Sequence, residues 1–238
     1  MLVECHIIAW NEADTIALTI NHYKTFCDRI ILHDNLSDDG TDTIAIELGA
    51  EVRKFGRHGE LSDKEYLKIK NQVWKKSDAD WVILVDCDEI LQIDRQTLQS
   101  EKDKSKTIFN TYGWQVFSKE LPLKSFSEIT NGFHDRNYSK LAVFNPKALL
   151  DINYSYGCHT AFPKGRVEYS DVVIPLFHYR NIGGPERLIA RHRLYRKRLS
   201  PLNKELGLGC HYSYPDERRV KEWNEQYEKS AKFSPGGF

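Results

Sequence analysis

The amino-acid sequence predicts an α/β fold in which a mostly parallel central sheet is flanked by helices. Over residues 1–90, short apolar runs alternate with segments of helical periodicity, which indicates repeated β-α units. The run at 81–85, Trp-Val-Ile-Leu-Val, is apolar at every position, as is typical of a strand covered on both faces. Polar clusters follow three of the predicted strands, so we expect a ligand site beyond their carboxyl ends.

The elements are predicted in order along the chain. Residues 2–9 form an apolar run that predicts the first strand, and Ile16, Ile20 and Tyr23 recur at helical spacing within 13–26. Ser62 with Glu65 is a capping-box pattern, which predicts the start of a helix. The remaining predictions are strands at 29–33, 51–55, 81–85, 141–144 and 171–179, helices at 41–48 and 62–76, and a last helix at 185–199.

Length and composition favour one compact unit and exclude several classes of protein. The 238 residues, 40% of them hydrophobic, suffice for one sizeable core but are short for two enzymatic domains. Lys plus Arg equal Asp plus Glu at 34 each, so no nucleic-acid partner is expected. The five cysteines include no C-x-x-C pair, and no apolar run approaches a signal peptide or a membrane span. We expect a reduced, cytoplasmic protein.

The strongest local pattern is Asp86-Cys87-Asp88-Glu89, directly after the apolar run at 81–85. Mg²⁺ and Mn²⁺ take oxygen ligands and share their coordination shell with phosphate oxygens, so carboxylates at a strand end suit a metal-diphosphate complex. An acidic loop after a strand is also common without any function. Two unpaired carboxylates beside an apolar strand repel each other, however, and a cation relieves that repulsion.

Two further polar clusters follow the first and second strands. The segment 34–41, Asp-Asn-Leu-Ser-Asp-Asp-Gly-Thr, has the composition of a turn and helix cap, while Asp34 at the strand end also suits a hydrogen bond from a base imide or a ribose hydroxyl. Asn11-Glu12 alone is typical of a helix N-cap. Because the carboxyl ends of parallel strands meet at one edge of a sheet, the three clusters together favour a shared ligand site.

In their order and spacing these segments resemble the family 2 type of GT-A glycosyltransferases. Those enzymes have an apolar strand followed by Asn-Glu, a second strand followed by Asp-x-x-Ser-x-Asp-Gly-Thr, and a buried strand followed by Asp-x-Asp. The matching segments are IIAWNEADTI, IILHDNLSDDGTDTI and DWVILVDCDEIL, and the resemblance covers residues 1–95. It implies a single GT-A domain over 1–238, with a nucleotide-sugar-binding half at 1–95 and an acceptor-binding half at 96–238.

The resemblance also implies roles for individual residues. The metal motif corresponds to Asp86 and Asp88, which implies Mn²⁺ or Mg²⁺ as cofactor, with Asp88 the more direct ligand and Asp86 nearer the ribose or a second contact. Lys70, in a predicted helix, is equally consistent with a solvated face. The positions that contact the nucleotide in the family correspond to Asn11, Glu12, Asp34, Asn35, Lys70 and Asn71.

The half at 96–238 resembles a subset of these transferases in which a His follows one short strand and a His-Tyr follows another. His159 and His178 match these positions, and a neutral imidazole can complete a metal shell or act as a base. We expect His178 as a metal or phosphate ligand, although a His in an aromatic region is more often a packing residue. The Glu-Asp pair that supplies the base in many inverting members is absent after residue 89, and Asp135 is the best substitute by position, with Asp151 and His159 behind it.

The predicted helix at 185–199 has a dense basic face. A basic run is most often solvated, and the functional alternative is peripheral docking on an anionic membrane or on a lipid-linked acceptor. Arg180 and Arg187 are further candidates for clamping the donor diphosphate. The basic residues of the helix are Arg187, Arg191, Arg193, Arg196, Lys197 and Arg198.

We therefore expect transfer of a sugar from a nucleotide-sugar, a UDP-sugar by the resemblance, to a hydroxyl of a carbohydrate or lipid-linked acceptor. The resemblance implies inversion, which the missing base pair leaves open. A nucleotidyltransferase or phosphohydrolase would use the same metal-diphosphate crevice, but Trp10-Asn11-Glu12 stands where nucleotidyl transfer favours a Gly-rich loop. A catalytically silent carbohydrate-binding protein is the other alternative, against which the intact Asp86 and Asp88 argue.

Overall fold

The computed structural model describes residues 1–122 and 124–233, and it confirms the predicted α/β class. Every predicted strand and helix is present, with shifted ends. The strands are β1 Val3–Ala9, β2 Arg29–Asp34, β3 Glu51–Lys54, β4 Trp81–Asp86, β5 Glu89–Leu91, β6 Ile108–Phe117, β7 Asn131–His134, β8 Val143–Phe144, β9 Leu149–Asp151, β10 Lys164–Gly165, β11 Tyr169–Asn181 and β12 Ala231–Lys232. The α-helices are α1 Ile16–Lys24, α2 Thr41–Glu47, α3 Asp63–Gln72, α4 Arg95–Asp103, α5 Gly184–Arg198, α6 Pro201–Glu205 and α7 Asp216–Lys229.

One mixed, mainly parallel sheet dominates this part of the chain. Its strands follow the order β12-β7-β6-β8-β4-β1-β2-β3, and β11 joins it by pairing with β6 and β5. The strands β4, β1, β2 and β3 are parallel to one another, whereas β8 runs antiparallel to β4 and to β6. Strands from residues 1–95 and from residues 96–232 therefore share one sheet.

The parallel strands form because their residues are apolar enough to be covered on both faces. All of β1 is buried, as are the first five residues of β4. The stripe of Ile16, Ile20 and Tyr23 predicted for α1 is fully buried against this sheet. The tyrosine hydroxyl also donates to the carbonyl of Glu89 at 2.8 Å, which ties α1 to the turn after β4.

Two predictions about helix ends are wrong. Ser62 is the residue before α3, but its side chain makes no capping hydrogen bond, so the capping box does not form. The helix at 185–199 is present as α5 but is not the last, because α6 and α7 follow it. Among the residues of α7 only Trp223 is buried, and a single buried aromatic among charged residues gives little apolar periodicity to detect.

Strand β11 connects the two halves of the sheet. It runs parallel to β6 and antiparallel to β5, with His178 opposite Gln115 on one side and Glu89 on the other. The amide of Tyr179 donates to the carbonyl of Asp88 at 2.7 Å. Because β5 directly follows the acidic turn after β4, this pairing brings the His-Tyr segment beside the predicted metal motif.

Replacing Gly113 with Ala tests whether β6 positions the loop at 135–139. A Cβ atom at Gly113 would lie 2.5 Å from the carbonyl carbon of Tyr138, 2.6 Å from the amide nitrogen of Ser139 and 2.8 Å from the carbonyl oxygen of Asp135. Because all three are backbone atoms, the loop must move. We expect a loss of about 1–3 kcal/mol in unfolding free energy and faster amide hydrogen exchange at 135–139.

The control for this variant is Gly49→Ala. A Cβ atom there meets nothing within 4 Å, although the positive φ of +81° still costs some stability. We expect Gly49→Ala to keep normal exchange protection at 135–139. Equal protection of this loop in both variants would show that Gly113 does not support it.

Candidate active site

A cavity of about 630 Å³ opens at the carboxyl ends of β1 and β4, which is where the sequence predicts a ligand site. Its wall on this side includes Trp10, Glu12, Asp86 and Asp88. The opposite wall comes from the second half of the chain. It includes residues of β11, α5 and α7 and of the loops between them: His178, Arg180, Arg191, His192, Tyr195, His211, Tyr212, Arg219 and Trp223.

Asp86, predicted as one of the metal carboxylates, lies between two lysines. Lys70 Nζ is 2.7 Å from Oδ1, and Lys140 Nζ is 3.2 Å from Oδ2. Lys140 also pairs with Glu89, which is 1% exposed. Burial raises the pKa of Asp86, but the two lysines outweigh it and hold that pKa well below its usual range. Asp86 is therefore ionised and already neutralised by protein cations.

Asp88 has a different environment. Its Oδ2 lies 3.4 Å from Nε2 of His178, and His178 is buried. His178 Nδ1 lies 3.3 Å from Oε1 of Gln115, which also accepts a hydrogen bond from Asn181 at 3.0 Å. An amide oxygen only accepts, so Nδ1 carries the proton and the Nε2 lone pair faces the Asp88 carboxylate. Burial lowers the pKa of His178, which favours this neutral form although Asp88 opposes the shift.

The structure brings Glu12 into the cavity wall but gives it a partner that the sequence did not reveal. Arg191 of α5 forms a bidentate ion pair with the Glu12 carboxylate, and its Nη1 also donates to the carbonyl of Asn11 at 3.2 Å. Burial raises the pKa of Glu12, and the Arg191 guanidinium opposes that shift. The Tyr195 hydroxyl accepts from Arg191 at 2.6 Å. This pair attaches α5 to the end of β1.

The predicted solvated basic face of α5 is therefore wrong for half of its basic residues. Arg191 pairs with Glu12, Arg187 makes an ion pair with Asp14 at 2.8 Å, and Arg198 is buried with its guanidinium 3.4 Å from the ring centre of Trp10. The predicted peripheral membrane contact through this helix gains no support. Within the residues that the structure describes, no helix is both long and apolar enough to cross a membrane.

Two predicted nucleotide contacts after β1 and β2 do not reach the cavity. The Asp34 side chain is fully buried, and its carboxylate accepts hydrogen bonds from the amide and hydroxyl of Ser37 in its own turn. The Asn11 side chain exchanges two hydrogen bonds with Asp38, at 2.7 and 3.0 Å. Turn formation, the alternative interpretation of 34–41, thus accounts for the Asp34 side chain, whereas Asn11 binds this turn and is not the N-cap of α1, which is Thr15.

The side chains of Asn35 and Asn71, two further predicted nucleotide contacts, also have partners within the protein. Asn35 is 1% exposed; its Oδ1 accepts from Arg198 at 2.7 Å and its Nδ2 donates to the Phe55 carbonyl at 3.2 Å. Asn71 Oδ1 accepts a hydrogen bond from the amide of Tyr154 at 2.9 Å, which connects α3 to the loop that follows β9. Lys70, next to Asn71, is buried against Asp86 and is not on a solvated face.

Of the three candidates for the catalytic base, two line the cavity and one does not. Asp135 and His159 line the cavity, with the His159 ring 5.5 Å from that of Tyr138. One oxygen of Asp135 accepts from the amide of Asn137 at 3.0 Å, which fixes the carboxylate at the start of a short 3₁₀ turn. Asp151 instead pairs with a lysine at 3.1 Å and does not line the cavity.

Of the two arginines predicted to clamp the donor diphosphate, Arg180 and Arg187, only Arg180 lines the main cavity. Arg180 lines the main cavity, with its Nη2 3.0 Å from Nε2 of His192 and its guanidinium 5.4 Å from the ring centre of Tyr212. Arg187 is held by Asp14 at the outer end of α5 and does not line this cavity. Both arginines line a second, much smaller pocket together with Glu12, Asp88 and Arg191.

Any metal at this site would need ligands beyond the protein. Among the described residues, no group of three or more His, Cys, Asp and Glu is placed to hold a metal ion. The Asp88–His178 pair nevertheless fits a hard divalent cation, because a carboxylate oxygen and an imidazole lone pair face each other across 3.4 Å. Adjacent ligands of a cation with bonds of about 2.1 Å lie about 3 Å apart.

Comparison with known proteins connects the chain to sugar transfer. It is 36% identical over 122 residues to an uncharacterized glycosyltransferase of Rickettsia prowazekii, covering 50% of this chain and 38% of that protein. It is 35% identical over 97 residues to an uncharacterized glycosyltransferase of Rickettsia felis, covering 40% of this chain and 31% of that protein. The chain thus spans about a third of the length of the curated relatives it matches. No protein-family model matches it.

Solved structures with some similarity in fold have low sequence identity. Residues 1–349 of S. aureus TarS in complex with UDP align with a TM-score of 0.47 and 15% identity, over 96% of this chain and 72% of that chain. Glucosyl-3-phosphoglycerate synthase from Mycobacterium tuberculosis, in complex with Mn²⁺, UDP and phosphoglyceric acid, aligns with a TM-score of 0.35 and 17% identity. That match covers 47% of this chain and 43% of the synthase.

Replacing Lys140 with Met tests the charge network at the end of β4. Burial lowers the pKa of Lys140, but Glu89 and Asp86 raise it above its ordinary value, so the side chain is an ammonium ion. Its removal leaves the Glu89 carboxylate buried without this cation. We expect a loss of about 3–5 kcal/mol in unfolding free energy, measured by urea denaturation.

The double variant Lys140→Met with Glu89→Gln is the matched control. It removes the orphaned carboxylate while the glutamine oxygen can still accept from the Asp86 amide, as Glu89 Oε2 does at 2.9 Å. We expect the double variant to recover part of the lost stability. A double variant that is no more stable than Lys140→Met alone would rule out the unpaired charge as the cause.

Proposed function

We propose that this chain is a glycosyltransferase of the GT-A kind, which moves a sugar from a nucleotide-sugar to an acceptor hydroxyl with the help of Mn²⁺ or Mg²⁺. The observation that carries the proposal is the Asp88–His178 pair, whose two electron-pair donors face each other in a cavity at the carboxyl ends of parallel strands. The curated relatives named glycosyltransferases support the reaction class. A UDP-sugar as donor rests on the sequence resemblance.

In this proposal Asp88 and His178 hold the cation, and the donor diphosphate and water supply the other ligands. A bound cation there would neutralise charge on the departing nucleoside diphosphate. Gln115 orients His178 through Nδ1, as partners of metal-binding histidines commonly do. Asp86 is reassigned from metal ligand to anchor, because Lys70 and Lys140 occupy its carboxylate.

The same cavity wall supplies a proposed base. Asp135 is partly exposed, and its backbone is held by Gly113, whose carbonyl accepts from the Asp135 amide at 2.9 Å. A carboxylate in this position can take the proton of an acceptor hydroxyl while the hydroxyl oxygen attacks the anomeric carbon of the donor. His159 is the second choice, because its exposed ring lies at the cavity mouth. Attack by the hydroxyl on the face opposite the leaving diphosphate would invert the anomeric centre.

The cation requirement is tested with UDP and Mn²⁺. We expect UDP to raise the melting temperature only when Mn²⁺ or Mg²⁺ is present, and to bind more tightly than GDP or ADP in calorimetry. Asp88→Asn removes the charge that attracts the cation and should abolish both the Mn²⁺-dependent shift and sugar transfer while the fold is kept. Asp103→Asn, at an exposed carboxylate, is the control. Full activity of Asp88→Asn, or in excess chelator, would contradict the metal role.

The role of His178 is tested by His178→Ala. If the imidazole completes the metal shell, the variant should bind UDP in the presence of Mn²⁺ about 10 to 100-fold more weakly. His134→Ala is the matched control, because His134 stacks on Tyr112 at 3.7 Å but does not line the cavity. Both variants lose ring packing and should melt earlier, so Mn²⁺ titration separates them. A normal Mn²⁺ response in His178→Ala would show that His178 is a packing residue and not a metal ligand.

A further inference from the structure

The end of the cavity formed by β11, α5 and α7 contains an arginine without a carboxylate partner. Within residues 1–122 and 124–233, no ion pair joins Arg180 to an Asp or Glu; its contacts are the imidazole of His192 and the ring of Tyr212. The Asp88 carboxylate is close enough to interact electrostatically with Arg180 but makes no ion pair with it. A guanidinium keeps its charge at all physiological pH values, so Arg180 carries a positive charge in the cavity wall that no ion pair among the described residues neutralises.

His192 adds a hydrogen-bond donor that lacks an acceptor. Arg180 Nη2 can only donate, so Nε2 of His192 accepts at 3.0 Å and the proton of the neutral imidazole must be on Nδ1. That Nδ1 is buried and has no hydrogen-bond partner among the described residues, although His192 lines the cavity and is 5% exposed. A buried donor without an acceptor is costly, which favours a ligand that supplies one.

The surroundings of His192 are strongly positive. Burial first, and then Arg180 and Arg219, lower the pKa of His192 to about 2, and the same causes lower the pKa of His211 to about 4. Arg219 pairs with Glu222 at 2.9 Å and donates to the His211 carbonyl at 2.7 Å, while its buried Nε has no partner among the described residues. Among the described residues, Glu222 is the carboxylate that pairs with Arg219, and no ion pair joins it to Arg180.

This end of the cavity is separate from the predicted nucleotide end. Trp10, Lys70 and Asp86 line the cavity at the ends of β1 and β4, whereas Arg180 lies two residues beyond His178 on the same face of β11. Residues i and i+2 of a strand are about 6.6 Å apart. Arg180 and His192 are held by β11 and α5, which are not the elements that carry Trp10, Lys70 and Asp86.

We propose that Arg180, His192 and Arg219 form a subsite for a phosphate group carried by the sugar acceptor. A phosphate supplies the negative charge that Arg180 lacks and oxygen acceptors for the free donors of His192 and Arg219. That the phosphate is carried by the sugar acceptor depends on the proposed glycosyl transfer, whereas the binding of a phosphate group here does not. The acceptor class is thus a phosphorylated hydroxyl compound, either soluble or carried by a lipid.

The test is calorimetric titration of glycerol 3-phosphate into the full chain saturated with UDP and Mn²⁺. We expect binding to the wild-type protein, weakened about 10 to 100-fold in Arg180→Met and in His192→Phe, since each loses a charge-assisted or otherwise unmet hydrogen bond. His192→Phe retains the ring packing against Tyr212, and Arg180→Lys retains the charge and should be intermediate. Arg196→Met, on the exposed side of α5, should behave as wild type.

UDP affinity distinguishes this subsite from a donor site. We expect Arg180→Met to bind UDP and Mn²⁺ normally; weaker UDP binding, or displacement of glycerol 3-phosphate by UDP, would place Arg180 at the donor diphosphate and overturn the inference. Equal glycerol 3-phosphate binding by wild type and both variants, or none by wild type, would also overturn it. If UDP does not bind the wild-type protein, the proposed function fails, and titration without UDP still tests the subsite.

Vesicles distinguish the two sources of the phosphate. Vesicles of phosphatidylcholine with phosphatidic acid present the same phosphate group on a lipid. Co-sedimentation that depends on Arg180 would support a lipid-borne acceptor, and glycerol 3-phosphate binding without co-sedimentation would support a soluble one. Co-sedimentation that is equal for wild type, Arg180→Met and Arg196→Met would show attraction to the general surface and would count against the subsite.

Discussion

The buried charge network at the end of β4 is the constraint on which the rest of the site depends. Lys70 comes from α3, Asp86 and Glu89 flank the turn after β4, and Lys140 follows the loop at 135–139. Four charges are tolerated in this place because each has an opposite partner within hydrogen-bonding reach. A helix, the acidic turn and the loop of the second half are thereby fixed to one another at the edge of the cavity.

The network also gives two neighbouring carboxylates different properties. Asp86 is neutralised by Lys70 and Lys140, whereas no lysine pairs with Asp88 in the part of the chain that the structure describes. An apolar replacement of a buried ion pair is often as stable as the pair itself, so stability alone does not explain these charges. They leave a single carboxylate beside His178 that is free to bind a cation, while the turn that carries it is held rigid.

The parallel half of the fold was predictable because its signals are local. Strands β1 and β4 are apolar throughout, and the stripe on α1 repeats within one helix. The site was less predictable because its partners are distant: Lys140 is 54 residues from Asp86, and Arg191 is 179 residues from Glu12. Neither composition nor a local motif shows that residues so far apart in the sequence are partners in the fold. The sequence alone also does not show whether a motif side chain such as Asp34 serves its own turn or a ligand; in the structure it accepts from Ser37 and lies 3.5 Å from Lys54.

In helix α5, the number of basic residues does not indicate how many are exposed, whereas the helical period separates the inward from the exposed ones. Arg187, Arg191 and Arg198 fall on one side of the helix and have partners there, whereas Arg193 and Arg196 are exposed. Arg187 and Arg191 pair with carboxylates of the first half and Arg198 lies over the ring of Trp10, so these three arginines attach the helix to the sheet.

Arg180 of β11, which faces α5, has no ion pair with a carboxylate among the described residues. Its neighbour His192 cannot neutralise it, since an imidazole has no negative form at physiological pH, and the Tyr212 ring offers only the weak attraction of its π face. At the other cavity end, Asp86 pairs with lysines and Glu12 with Arg191, while Asp88 and Asp135 belong to the proposed cation and base sites. In the proposed subsite, an acceptor that brings its own phosphate adds negative charge at this end without disturbing the pairs on which the fold depends.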